Sequence, residues 1–185
     1  MNEDYTAAPD PATPPVTASE QAWKILQLIN EWVRHAETKL AATLAAAGIS
    51  GGVLFSLIQN RQETSGYFSA AAIICCAAAI LSGASAMVGL YPVLGIRVPD
   101  RDGEADLMFF GDIKRFHRHD AHGYLEALRA LTSTPDELVR HLGRQIHANS
   151  VIAGRKFRWA NLAIRALLID LLALGTLMLL IALGL

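Results

Sequence analysis

Charged side chains are absent from residues 40–60 and again from residues 64–96. Each gap is longer than the apolar stripe of an ordinary amphipathic helix. Each is also long enough to cross a bilayer core, which takes about 20 apolar residues. Residues 40–59 (LAATLAAAGISGGVLFSLIQ) are expected to form a first span and residues 67–91 a second. Asn60 to Gly66 is the short polar turn between them. The first span is rich in Ala and Gly, so its own insertion is marginal. Small residues at Gly48 and Gly52, Ala79 and Gly83, and Ser85 and Gly89 allow close helix approach. A tight hairpin is the expected result.

The third apolar run, residues 164–185, carries only Arg165 and Asp170. It continues a helical pattern that begins at Thr134. There Thr134 suits an N-cap, Pro135 the first helical position, and Glu137 a capping box. No later proline interrupts the pattern, although Gly143 and Gly154 are weak points. We expect one long helix, or two nearly collinear ones, wet and basic in its first half and membrane-spanning in its second. Such an element can carry a cytoplasmic event into the bilayer.

The remaining segments are polar. Residues 1–16 hold four of the seven prolines and three acids, the composition of a disordered tail. Thr17 and Glu20 make another capping box, opening an amphipathic helix over 17–39. Its apolar face is Ala22, Ile25, Leu26, Ile29, Trp32, Val33, Ala36 and Leu40. Residues 92–163 form a helical insert. Within it Asp100 to Asp106 is an acidic loop, Met108 to Ile113 an apolar knot, and Tyr124, Leu125, Leu128 and Leu131 mark a short helix. The expected fold is an all-α membrane protein with three transmembrane helices, a small cytoplasmic helical insert, and a long helix running into the last span.

Composition agrees with a membrane protein: 52% of the 185 residues are hydrophobic and the mean hydropathy is +0.31. The net charge of −1 implies no partner in bulk, and no nucleic acid is expected. The distribution of Lys and Arg sets an orientation. Lys24, Arg34 and Lys39 precede span one, Arg61 alone lies in the turn, and twelve lie from Arg97 to Arg165. The N-terminus and the 92–163 region are therefore expected in the cytoplasm, with the C-terminus on the far side. The two cysteines, Cys75 and Cys76, are read as small apolar residues of span two.

Candidate chemistry is sparse. The sequence carries no phosphate-binding loop, nucleophile elbow or dinucleotide fingerprint, and no catalytic residue is assigned. His117, His119 and His122 invite a metal reading, and His119-Asp120 spells the dipeptide of metal phosphohydrolases. No further ligand set accompanies them, and a solvated polar turn is the better account. No metal is expected. Gln145, Asn149 and Lys156 share one stripe of the long helix, where amides suit a base edge. Lys156, Arg155 and Arg158 suit a phosphate. Packing along a helix seam and anchoring at the headgroups are the structural alternatives. Asp170 lies a third of the way into the last span, where an ionisable group is costly. A hydrogen bond to Ser50, Ser56, Ser82 or Ser85 is its simplest fate, and a role in oligomer assembly or ion passage the sharper one.

Taken together, Glu31 to Lys39 (EWVRHAETK), Phe109 to Ile113 (FFGDI), Tyr124 to Leu128 (YLEAL), Arg144 to Ser150 (RQIHANS) and Arg155 to Phe157 (RKF) resemble the transmembrane effector family of the Pycsar antiphage systems. The resemblance covers about residues 20–183, and it rests on order and spacing. Position 37 is Glu where the pattern has Asp, and the insert is rich in histidine. The resemblance implies abortive infection. A partner cyclase makes a cyclic pyrimidine nucleotide, cyclic UMP or cyclic CMP, during phage attack; the effector senses it and impairs the inner membrane. The chain would then be a homo-oligomer in the lipid bilayer, with Phe109, Phe110, Gly111, Asp112 and Asp170 as structural or oligomer-forming positions. A membrane scaffold that recruits a cytoplasmic partner, and a metal-dependent phosphohydrolase, are the competing readings.

The three apolar runs make a direct prediction. Expressed in bacteria, the chain should stay with the membrane pellet through an alkaline carbonate wash and enter solution only with detergent. Release by carbonate alone would show that the apolar runs are buried in a water-soluble globule.

Overall fold

The computed structural model describes residues 17–59, 65–92 and 106–183. The proline-rich tail, most of the turn after span one, and most of the acidic loop lie outside them. All regular structure among the described residues is helical: α1 (Ala18–Gln59), α2 (Gly66–Leu90), α3 (Phe110–Phe116), α4 (Ala121–Ser133) and α5 (Pro135–Ala182). Of these, α1, α2 and α5 are long and apolar enough to cross a membrane. The protein is an all-α membrane protein with three such helices, α5 being the long helix that ends in the last of them. In hydrocarbon only a structure that satisfies its own backbone groups is tolerated, and helices do so within one segment.

One boundary differs from the sequence expectation. Composition changes between Lys39 and Leu40, yet α1 continues through it to Gln59. The reason is a repeat that ignores the change. Buried positions run Ala22, Leu26, Ile29, Ala36, Leu40, Thr43, Ala47, Ser50 and Leu54, in steps of three, four and seven. That is the spacing of a packed helical seam, about 3.5 residues per turn. Ile25 and Trp32 fall off the seam and are exposed. Gly143 and Gly154 do not break α5, so of the two expected forms it is the single long helix. One or two glycines, at roughly 1 kcal/mol each, do not outweigh a helix of 48 residues with a buried stripe.

The first capping box forms as expected. The Glu20 carboxylate accepts from the Thr17 N–H at 3.1 Å, and the Glu20 N–H donates to the Thr17 hydroxyl at 3.3 Å. Ser65 caps α2 by accepting from the Phe68 N–H at 3.3 Å. The Asp120 carboxylate caps α4, accepting from the Gly123 N–H at 2.9 Å.

The chain divides into two compact units. One comprises residues 1–27 and 100–145. Its polar centre is Asp106, which accepts from the Gln145 amide at 2.7 Å and from the Met108 N–H at 2.9 Å. The Asp106 N–H donates to the buried Asp112 carboxylate at 3.1 Å, and the Tyr124 hydroxyl donates to the Leu107 carbonyl at 3.2 Å. These bonds fix the turn that leads into α3.

The other unit comprises residues 28–99 and 146–185. Its core has two apolar clusters. Leu40, Ala86, Ala160 and Ala163 form one, with Leu44, Leu90 and Trp159 against it. Leu54, Phe68, Ala72, Cys75, Leu174 and Leu177 form the other. Of the small-residue pairs, Ser85 and Gly89 are buried in the packing. Gly48 and Gly52 have open space where a Cβ would project. Gly89 is the tight point. A Cβ there would stand 2.7 Å and 2.8 Å from the Leu40 methyls and 2.9 Å from the Trp159 Cβ.

Gly89→Ala should therefore overpack this junction and lower stability by about 1–3 kcal/mol. The measurement is thermal unfolding in detergent, with Gly48→Ala as the neutral control. Equal midpoints for the two variants would refute the close approach.

Candidate functional site

A lysine ammonium needs partners wherever water is excluded. Lys156 is 4% exposed, placed on the inner face of α5 by the same seam that buries Ala153 and Ala160. Its Nζ lies 3.0 Å from the Glu37 carboxylate of α1 and donates to the Gly89 carbonyl of α2 at 3.2 Å. That carbonyl is near the end of α2, where terminal carbonyls lack partners in the helix. One positive charge thus ties three helices together. Two residues along α1, the Lys39 ammonium lies 5.7 Å from the Phe157 ring centre. Glu37 and Lys39 on one side, and Lys156 and Phe157 on the other, are the two sequence motifs that flank the spans. Their spacing is explained by this pairing.

Arg155 and Arg158 point elsewhere. With Trp159 and Leu162 they line an open cavity of about 370 Å³, which falls in the size range of small-molecule sites. Positions 155, 158, 159 and 162 are one, three and four apart, so they make a single face of α5. Neither arginine forms an ion pair among the described residues. The cavity therefore combines two guanidinium groups, suited to a phosphate, with an indole, suited to stacking on a base.

The other positions singled out in the sequence fall as follows. The Asn149 amide donates to the Asn30 side-chain oxygen at 2.8 Å. Gln145 is held by Asp106 in the other unit. Both amides thus have protein partners. Gly111 lies under the Phe109 ring, where a Cβ would come within 2.5 Å of the ring. Phe110 is the first residue of α3, and its side chain lies outside the described set. Asp112 is buried and accepts from Asp106.

The histidines are dispersed. The His117 ring tilts on Tyr124 with centres 5.6 Å apart, His122 lies 3.6 Å from Glu126 on the surface, and Asp120 is a helix cap. Among the described residues no group of three or more His, Cys, Asp or Glu is disposed to hold a metal ion.

Asp170 departs from expectation. It is fully buried, but its partner is none of the four serines. Oδ1 accepts from the Cys75 thiol at 3.1 Å. Ser82 instead donates to the Ala163 carbonyl at 3.0 Å, one helical level away, and Ser56 is exposed. Sequence reasoning also missed Glu37, Asp106 and Cys75 as polar partners. Glu37 lies inside a recognised motif, one residue after the buried Ala36 of the α1 seam, and that position was the available signal.

Comparison with known proteins follows the same landmarks. The profile of the Pycsar effector protein domain matches residues 21–184. The chain belongs to the Pycsar effector family. A protein of Propioniciclava tarda, Pycsar effector protein PtPycTM, is 34% identical over 186 residues, covering 96% of this chain and 89% of that protein. No solved structure matches. Membership in this family and the three apolar helices identify a membrane effector of antiphage defence.

The Lys156 junction can be tested on its own. Lys156→Ala leaves Glu37 and the Gly89 carbonyl without their partner, and should cost about 1–3 kcal/mol of stability. Glu37→Gln keeps a hydrogen-bonding oxygen and should cost less. Thermal unfolding in detergent gives the order; a Lys156→Ala protein as stable as the parent would contradict the assignment.

Proposed function

We propose that the chain is a non-catalytic effector that binds a cyclic pyrimidine nucleotide, cyclic UMP or cyclic CMP from a partner cyclase, and then impairs the inner membrane. The observation that carries this reading is the cavity of Arg155, Arg158, Trp159 and Leu162, which offers cations and an aromatic face together. Family membership supplies the defence context. The excess of Lys and Arg after Arg97 supports a cytoplasmic N-terminus and 92–163 region, with the C-terminus outside.

Lys156 occupies the same turn of α5 as Arg155 and Arg158, and it ties α1 to α2. A nucleotide drawn onto the arginines would bind to the same turn of α5 on a different face from this buried charge. Binding then changes the balance between the packed resting bundle and an opened or oligomeric arrangement. The ligand must bind the second state more tightly, because only differential affinity moves an equilibrium.

Titration calorimetry of the detergent-purified chain should show saturable binding of cyclic UMP or cyclic CMP. Arg158→Ala should weaken it about tenfold or more, the worth of one charged hydrogen bond. Dye-loaded liposomes containing the protein should leak on addition of the same nucleotide. Absence of binding by either nucleotide would remove the reading.

A further inference from the structure

The interior of the membrane unit carries a second pattern, independent of the cavity. On α1 the buried positions Ala36, Thr43 and Ser50 are seven residues apart, and half-buried Leu57 continues the series. On α2 the series is Phe68, Cys75, Ser82 and Gly89, and on α5 it is Lys156, Ala163, Asp170 and Leu177. Contacts put the series level with one another. Lys156 bonds to Gly89, Ser82 to the Ala163 carbonyl, and Cys75 to Asp170. Phe68 and Leu177 share an apolar cluster against which Leu57 packs.

Seven helical residues advance about 10.5 Å. The bundle therefore has polar layers at that interval: Lys156 with Glu37 and the Gly89 carbonyl, then Thr43 and Ser82, then Ser50, Cys75 and Asp170. The next layer, Leu57, Phe68 and Leu177, is wholly apolar.

In the third layer two buried oxygens have no hydrogen-bond partner, Asp170 Oδ2 and Ser50 Oγ. Asp170 is 0% exposed and Ser50 3% exposed. Cys75, in the same layer, donates to the other carboxyl oxygen, Asp170 Oδ1, at 3.1 Å. An unmatched oxygen in hydrocarbon is costly, so this layer has room for a further polar partner. A carboxyl oxygen and a hydroxyl oxygen, both unmatched in one layer of the bundle, suit a small positive ion.

We propose that Asp170 and Ser50 bind a small monovalent cation, that the stacked polar layers are its path through the opened bundle, and that Phe68 with Leu177 closes the path at rest. Acidic side chains select cations in membrane pores, and apolar constrictions close them by excluding water. The inference extends the proposed membrane damage, specifying a leak selective for cations, but its test does not depend on the nucleotide.

The test is current across planar bilayers containing the full chain under a potassium chloride gradient, with and without cyclic UMP and cyclic CMP. Phe68→Ala should conduct without nucleotide, with its reversal potential displaced towards that of potassium. Asp170→Asn combined with Phe68→Ala should conduct with that displacement abolished. Ser50→Ala combined with Phe68→Ala, a smaller change that keeps the Asp170 carboxyl group, should reduce the displacement. A current with no preference for potassium over chloride, or a preference that survives Asp170→Asn, overturns the proposal while leaving membrane damage intact. A sealed bilayer with Phe68→Ala overturns it as well. Selective current in Phe68→Ala, with wild type silent to both nucleotides, would uphold the path and remove the nucleotide reading.

Discussion

The ammonium of Lys156 is the point to which the packing of α1, α2 and α5 must conform. A buried cation cannot be left to the apolar side chains around it. It needs Glu37 at its height on α1 and a free carbonyl at its height on α2. The carbonyl is available because α2 ends one residue later. The absence of a Cβ on Gly89 then lets Leu40 and Trp159 close over the contact. Register, helix length and one glycine are thus fixed by a single charge. An ion pair with one buried partner, Lys156, and one half-exposed, Glu37, is weak evidence for stability, because desolvation of the ammonium offsets the attraction. Its value lies in excluding other registers, as a polar residue does at the core of a coiled coil.

From that level the seam repeats every seven residues, and polarity repeats with it. The layers differ in how completely they are satisfied. Ser82 finds the Ala163 carbonyl, and Thr43 returns its proton to the Lys39 carbonyl at 2.8 Å. Only the layer of Asp170 keeps unmatched oxygens among these three. The resting bundle therefore concentrates its unmatched polar atoms at one depth, next to the larger of its two apolar clusters.

Much of this was legible in the sequence. Runs without charge located the spans, because hydrocarbon penalises charge more strongly than any other environment. The long final helix was legible because no proline interrupts it. What was not legible is pairing between distant segments. Asp170 was expected to find a serine, but helix geometry put Ser82 one layer too far and aligned Cys75, whose thiol is a weak donor easily taken for a small hydrophobe. Asp106 lies in an acid-rich stretch that reads as solvated, yet it gathers Gln145 and Met108. The continuity of α1 was hidden by its composition. Lys39 and Leu40 mark a change of surroundings, and a helix can pass through such a change when its inward face keeps one repeat.

The composition of α1 has a consequence for how the protein is made. Residues 40–59 reach the membrane ahead of α2, and their alanines and glycines partition weakly into lipid. Open space surrounds the positions where Gly48, Gly51 and Gly52 lack side chains, so these residues bring no bulk to hold the segment in the bilayer. α2, with Ile73, Ile74, Ile80 and Leu81 facing outward, is the stronger substrate for the translocon. Entry of the first span is thus coupled to synthesis of the second, and the two are delivered to the lipid as a hairpin.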